Sequence, residues 1–173
     1  GKNVLKGDFG TSITYKQQVS TVILERFKYS IVLMLVAWCF SGIVGFLIGV
    51  LAGIYKGSLF DKIIKIFCLA LQSAPTFWIG LLILSLFSVY LGWFPIGFAV
   101  PMGKLSLEIT IWDRIYHLIL PALTLSILGI SRVTLFTRQK LIEILNSDFI
   151  LFAKARGENT RQLVIRHGLR NIA

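Results

Sequence analysis

Apolar residues in this chain come in long, nearly uninterrupted runs, not in the alternating or one-faced patterns of a water-soluble domain. Residues 30–54, SIVLMLVAWCFSGIVGFLIGVLAGI, contain no charge. Since about 20 apolar residues cross the hydrocarbon core of a bilayer, this run predicts a transmembrane helix. A second run, residues 63–91, exceeds what one straight crossing needs, so it is expected to tilt or kink. Pro75 supplies the kink, because it removes a backbone hydrogen bond and crowds the preceding turn. A third run covers about 115–135 and includes Pro121. Before the first run, Val22, Ile23 and Phe27 recur at helical spacing after Ser20, with Glu25, Arg26 and Lys28 opposite. That pattern predicts a short helix, either lying along the membrane surface or packing on neighbouring helices as an amphipathic lead-in. After the third run, Thr137–Leu145 reads as a basic amphipathic helix. Asp148 is then expected to cap a short helix with Phe149, Phe152 and Ala153 on one face. Gly157 ends it, and Asn159 with Gln162 forms the signature of a capping box for a second helix. Two short helices are thus expected to meet at a glycine elbow.

Within the runs, small and polar residues mark contacts. Ser41, Gly45, Gly49 and Gly53 repeat every four residues in the first run. Such a ladder presents a flat face on which another helix can approach closely. Gln72, Ser73 and Thr76 surround Pro75, where they can hydrogen-bond a neighbouring helix or face a hydrated path. The 92–114 stretch holds turn-forming Pro and Gly with aromatic residues suited to an interface. His117 and His167 lack metal-ligand spacing, and His117 is read as an interfacial residue.

Composition agrees with a membrane protein: 55% of residues are hydrophobic and only 15% charged. The formal net charge of +10 would suggest nucleic acid in a soluble chain, but the apolar runs decide against it. The basic excess instead orients the spans. The side bearing the 56–65 connector and everything from Arg132 onward holds eleven Lys and Arg, against seven on the side of 1–28 and 92–114. The first side is therefore expected in the cytoplasm, with residues 132–170, and the second outside it. Cys39 and Cys68 lie inside apolar runs and are read as inert small hydrophobes. No phosphate-binding GxxxxGK[ST] is present, nor a nucleophile, base and orienter set, nor a metal-ligand cluster. No acid sits within a span, which argues against a proton relay. Neither catalytic nor metal residues are expected. From the residues alone, a transport subunit competes with an ion channel or secondary transporter whose basic tail binds anionic lipid.

Several stretches resemble permease subunits of binding-protein-dependent ABC importers, in the oligopeptide, dipeptide and nickel branch. AKARG (153–157) and RHGLRN (166–171) are similar to that branch's cytoplasmic loop; GDFGTSI (7–13), WFPIG (93–97) and HLILPALTL (117–125) resemble it elsewhere, in the same order. Against the family's general loop signature, aligned on Gly157, only Ala153, Gly157 and Leu169 match. Leu151, Phe152, His167 and Arg170 depart from it. The resemblance implies an all-α integral membrane fold, the type I ABC importer transmembrane domain. About three transmembrane helices and the cytoplasmic coupling helices are expected in this chain. Residues 1–28 would be an extracytoplasmic segment with a surface helix, and 29–173 the permease domain with a coupling loop at 137–170. Members usually have about six spans, so one before and two after this stretch are expected, and Ala173 does fall in what reads as a further helix. The coupling residues would be Phe149, Phe152, Ala153, Ala155 and Gly157. Implied partners are ABC ATPase subunits carrying ATP and Mg, a second homologous permease and an external solute-binding protein, with this chain itself in the lipid bilayer of the cell membrane. The solute would be a small one, such as a peptide or a nickel complex.

Overall fold

The computed structural model describes residues 9–96 and 110–169. Its elements are helices: α1 (Val19–Ile54), α2 (Leu59–Ser73), α3 (Thr76–Leu84), α4 (Ile111–Leu145), α5 (Asp148–Ala155) and α6 (Thr160–Leu163), with π-helical turns at Ser85–Tyr90 and Val164–Gly168. Among the described residues the only β pairing is an isolated bridge between Thr11 and Gln18. It belongs to a tight turn just before α1, in which the Ser12 N–H donates to Gln17 O at 2.8 Å and the Val19 N–H to Gly10 O at 3.0 Å. Gly7 and Asp8 of the first motif, the 97–109 part of the long loop with Lys104 and Glu108, and Arg170 to Ala173 lie outside the described residues.

Three boundaries differ from the expectation. The lead-in after Ser20 is not a separate surface helix: α1 begins after Gln18 and runs unbroken for 36 residues. Arg26 and Lys28 are straight-chain residues with good helix propensity, so their charge does not interrupt the backbone. The expected division at 28/29 therefore falls inside a helix. Likewise the third span and the basic helix after it are one element, α4, which passes through Pro121 and ends at Leu145. A capping box at Thr110 and Asp113 starts it. Finally, Pro75 does more than kink a helix. It pushes Ala74 to an extended ψ of 142°, ending α2, and itself sits at the N-cap of α3 with ψ 134°. The two halves meet at 106°.

The centre of the fold is the seam between α1 and α4. A Cβ on Gly45 would lie 2.8 Å from Val133 Cβ, one on Gly49 2.7 Å from Thr137 Cβ, and one on Gly53 2.9 Å from Leu141 Cδ2. Gly129 on α4 faces Ser41 in the same way. Each four-residue step along α1 is matched by a four-residue step along α4, so the two helices run parallel and in register. Hydroxyls tie the seam to backbone on the opposite helix: Ser41 Oγ donates to Ser126 O at 3.1 Å, Ser126 Oγ to Ala37 O at 3.3 Å, and Thr134 Oγ1 to Gly45 O at 3.2 Å. Ser126, Ser131, Thr134 and Thr137 are all buried. In lipid, where apolar side chains gain nothing by leaving the solvent, such close backbone approach supplies the attraction.

Parallel neighbours need a return crossing between them. Among the described residues α2 and α3 lie between them, and together they are apolar enough to provide it as one broken span. Counted as one span, the broken pair brings the candidate crossings from two to three, and three is the number expected. Near the start of α4 an aromatic group holds the loop: Phe87 and Trp93 rings are 5.9 Å apart, Phe94 and Tyr116 rings 5.6 Å apart, and the Tyr116 hydroxyl donates to Trp93 O. His117 stands beside Tyr116 and hydrogen-bonds Asp113 O through Nδ1 at 2.7 Å. Amphipathic rings of this kind suit the headgroup level of a bilayer.

Candidate functional site

The end of the molecule where α1 and α4 finish carries the elbow. Ser147, not Asp148, is the N-cap position of α5, and Asp148 is its first residue. A carboxylate there complements the positive end of the helix dipole. At the other end the Gly157 N–H donates to Lys154 O at 3.0 Å and the Glu158 N–H to Ala153 O at 3.3 Å. These two bonds are those of a Schellman motif, and they need a left-handed residue between them. Gly157 provides it, with φ +90°. The next helix opens as its spacing suggests: the Asn159 N–H donates to Gln162 Oε1 at 3.0 Å.

The expected apolar face of α5 divides in two. Ile150 and Ala153 are each 1% exposed and pack with Leu163 against Ile144 and Leu145. Ala153 thus belongs to the interior of the elbow, and it is not available to a partner. Burial is decided by where α6 folds back, and spacing on α5 alone does not contain that. Phe149, Leu151 and Phe152 point outward, with Phe152 72% exposed, and Ala155 is exposed beside them. Lys154 and Arg156, both exposed, flank this surface. Glu158 and His167 close the back of the elbow, Oε2 to Nε2 at 3.2 Å, with the His167 ring 6.1 Å from Phe149.

Leu141 joins the elbow to the seam. Fully buried, it meets Gly53 of α1 on one side and Gly168 on the other, where a Cβ would lie 2.8 Å from its Cδ1. One turn earlier on α4, Arg138 makes a two-pronged ion pair with Asp61, near the start of α2; Arg138 Nη2 donates to Oδ2 at 2.8 Å and Nε to Oδ1. The same carboxylate accepts from the Gly57 N–H at 2.9 Å, and Asp61 is 2% exposed. The sequence does not single out this pair. Its only signal there is that Asp61 is the one acid in a basic connector, and its partner lies 77 positions away.

Of the residues read as a path, Gln72, Ser73 and Thr76 are all exposed at the break between α2 and α3, away from the seam. Ser73 Oγ donates to Leu69 O of its own helix at 2.9 Å. Among the described residues no group of three or more His, Cys, Asp or Glu is placed to hold a metal ion. What the arrangement offers is mechanical: an exposed apolar surface on a rigid elbow, tied through Leu141 to two membrane helices.

Comparison with known proteins gives this geometry its family. The chain is 38% identical over 170 residues to an oligopeptide transport system permease protein of Bacillus subtilis (strain 168), covering 98% of this chain and 53% of that one. It is 35% identical over 184 residues to a di/tripeptide transport system permease protein of Pseudomonas aeruginosa (strain UCBPP-PA14), covering 98% and 55%. A glutathione transport system permease protein of Salmonella typhi is 32% identical over 169 residues, covering 98% and 51%. The chain therefore spans about half the length of the curated relatives it matches. A family model described as the binding-protein-dependent transport system inner membrane component matches residues 45–173, from the glycine ladder to the elbow. This chain, an all-α multi-pass membrane protein with the fold of a type I ABC importer transmembrane domain, belongs to that family.

Proposed function

We propose that this chain is part of the permease subunit of an ATP-driven importer, forming a portion of the path for a small peptide and receiving its driving motion from a separate ATPase subunit. The observation that carries the proposal is the surface of Phe149, Leu151 and Phe152. Three large apolar side chains stand exposed on an elbow that a Schellman motif and Leu141 hold rigid. Exposed apolar surface beyond the ends of the spans marks a docking site for a protein. Lys154 and Arg156 beside it favour an acidic rim on the partner.

The peptide class rests on the relatives, whose names specify oligopeptide, di/tripeptide and glutathione transport. ATP and Mg belong on the ATPase, and a second permease and an external solute-binding protein complete the assembly. The elbow end of the 132–170 stretch faces the cytoplasm, its first turns lying beside Gly45 and Gly49 in the seam, and 1–28 and 92–114 face outward. The charge bias supports this orientation. So does the placement of the 55–58 connector and the elbow at the same end of the parallel pair, joined by Arg138 and Leu141. Gln72, Ser73 and Thr76, exposed where the return span breaks, are the polar groups of this stretch that a solute could meet. A channel with a lipid-binding basic tail would require no apolar docking surface.

Phe152→Asp in the full-length protein tests the assignment. The change places a charge at the centre of the surface but touches no interior residue, so the membrane domain should still assemble. Co-purification of the ATPase subunit is expected to fall at least tenfold, and undiminished co-purification would overturn the docking surface.

A further inference from the structure

Four elements converge within one turn of α4. Thr137 meets Gly49 of α1, Arg138 binds Asp61 of α2, and Leu141 meets both Gly53 of α1 and Gly168 of the elbow. Asp61 is held as firmly as its partner. Its N–H donates to Ser58 Oγ at 3.2 Å, and its carboxylate receives three donors, two from Arg138 and one from Gly57, whose φ of +84° turns that N–H inward. A planar guanidinium fork on a carboxylate fixes direction as well as distance. The start of α2 therefore cannot rotate against α4 without breaking a buried pair.

The far end of α2 is built differently. Ala74 and Pro75 both have extended backbone, the freed turn carries exposed Gln72, Ser73 and Thr76, and the helix axes change direction by 106°. We infer that Asp61 and Arg138 are positioning residues for transport: they make α2 move as one body with the elbow and the ends of α1 and α4, so that displacement of the elbow is delivered to the break at Pro75. This inference rests on the reading of the elbow as the ATPase docking element. Motion imposed on α5 passes through Ile150, Ala153 and Leu163 to the end of α4, through Arg138 to α2, and reaches its first bendable joint beside the polar residues of the return span. Coupling of this kind needs contiguous packed elements with a discrete place to yield, and both are present.

Two measurements on the full-length transporter, reconstituted with its ATPase in proteoliposomes, test the inference. In Asp61→Asn and Arg138→Gln complexes that retain the ATPase, solute uptake per ATP hydrolysed is expected to fall at least tenfold, with Arg138→Lys, which keeps the charge without the fork, falling less. A merely structural staple would lower the yield of complex and leave that ratio unchanged, and an unchanged ratio overturns the inference. The second measurement leaves the pair intact, with spin labels at exposed sites. Labels at Lys62 and Lys140 should keep their separation through the ATP cycle, while labels at Lys65 and Tyr90, across the break, should change theirs. A shift in the first pair, or constancy in the second, overturns it. Failure of the wild-type chain to bind an ATPase or to take up solute would instead sink the transport reading itself.

Discussion

The seam between α1 and α4 and the break between α2 and α3 handle the same problem, polar or small residues inside a membrane, in opposite ways. Along the seam the hydroxyls of Ser41, Ser126 and Thr134 are buried and bonded to carbonyls of the facing helix, and glycines let backbones meet. At the break the polar side chains are exposed and the backbone leaves helical geometry for two residues. Small residues in matched register produce rigidity; a proline preceded by an extended residue produces a joint. The two constructions sit on neighbouring elements, α4 packing on both α1 and α2.

The contrast can be broken most severely at the seam. Gly49→Leu would place a Cβ 2.7 Å from Thr134 O, a backbone atom that cannot step aside. Overpacking of this kind is expected to cost about 3 kcal/mol, read as a lower melting temperature of the full-length protein in detergent. Gly42→Leu is the control, since nothing lies within 4 Å of its Cβ direction, and equal losses in the two variants would contradict the seam. A smaller effect is expected at the joint. Pro75→Ala restores a backbone N–H and frees Ala74 for helix, and loss of the proline's restriction on the unfolded chain should cost about 0.5–1 kcal/mol. Uptake should fall more than this destabilisation explains, because α2 and α3 can then join; uptake that tracks stability alone would deny the joint a role. The mildest change is Thr134→Val, which removes one hydroxyl bond to Gly45 O at constant shape. Interhelical bonds of this type average about 0.6 kcal/mol, so the same melting experiment should register a loss near its limit of detection.

Much of this architecture is legible in the sequence because its signals are local. Three apolar runs, the four-residue ladder, the glycine of the elbow and the Asn159–Gln162 box each depend on residues a few positions apart. The ladder even forecasts that a partner helix will come close, though not which one. The features that stay hidden depend on distant chain. Asp61 finds Arg138 only once the return span has brought the connector back beside α4. Ala153 looks equivalent to Phe152 on a helical wheel, but Leu163 covers one and leaves the other bare. The length of α1 is hidden because charged residues before an apolar run look like a boundary, although they form helix as readily as the apolar run itself. At Pro75 the sequence points to a bend, but its size is set by Ala74 leaving the helical region as well.

Leu141 has one further implication, for how the chain tolerates change. Gly53 and Gly168 are 115 positions apart, yet both press on the same leucine. A methyl group at either site makes the end of that side chain shift, and a smaller residue at 141 would make room at both. The cost of a substitution at either glycine thus depends on the residue at 141, which links what the membrane helix tolerates to what the elbow tolerates.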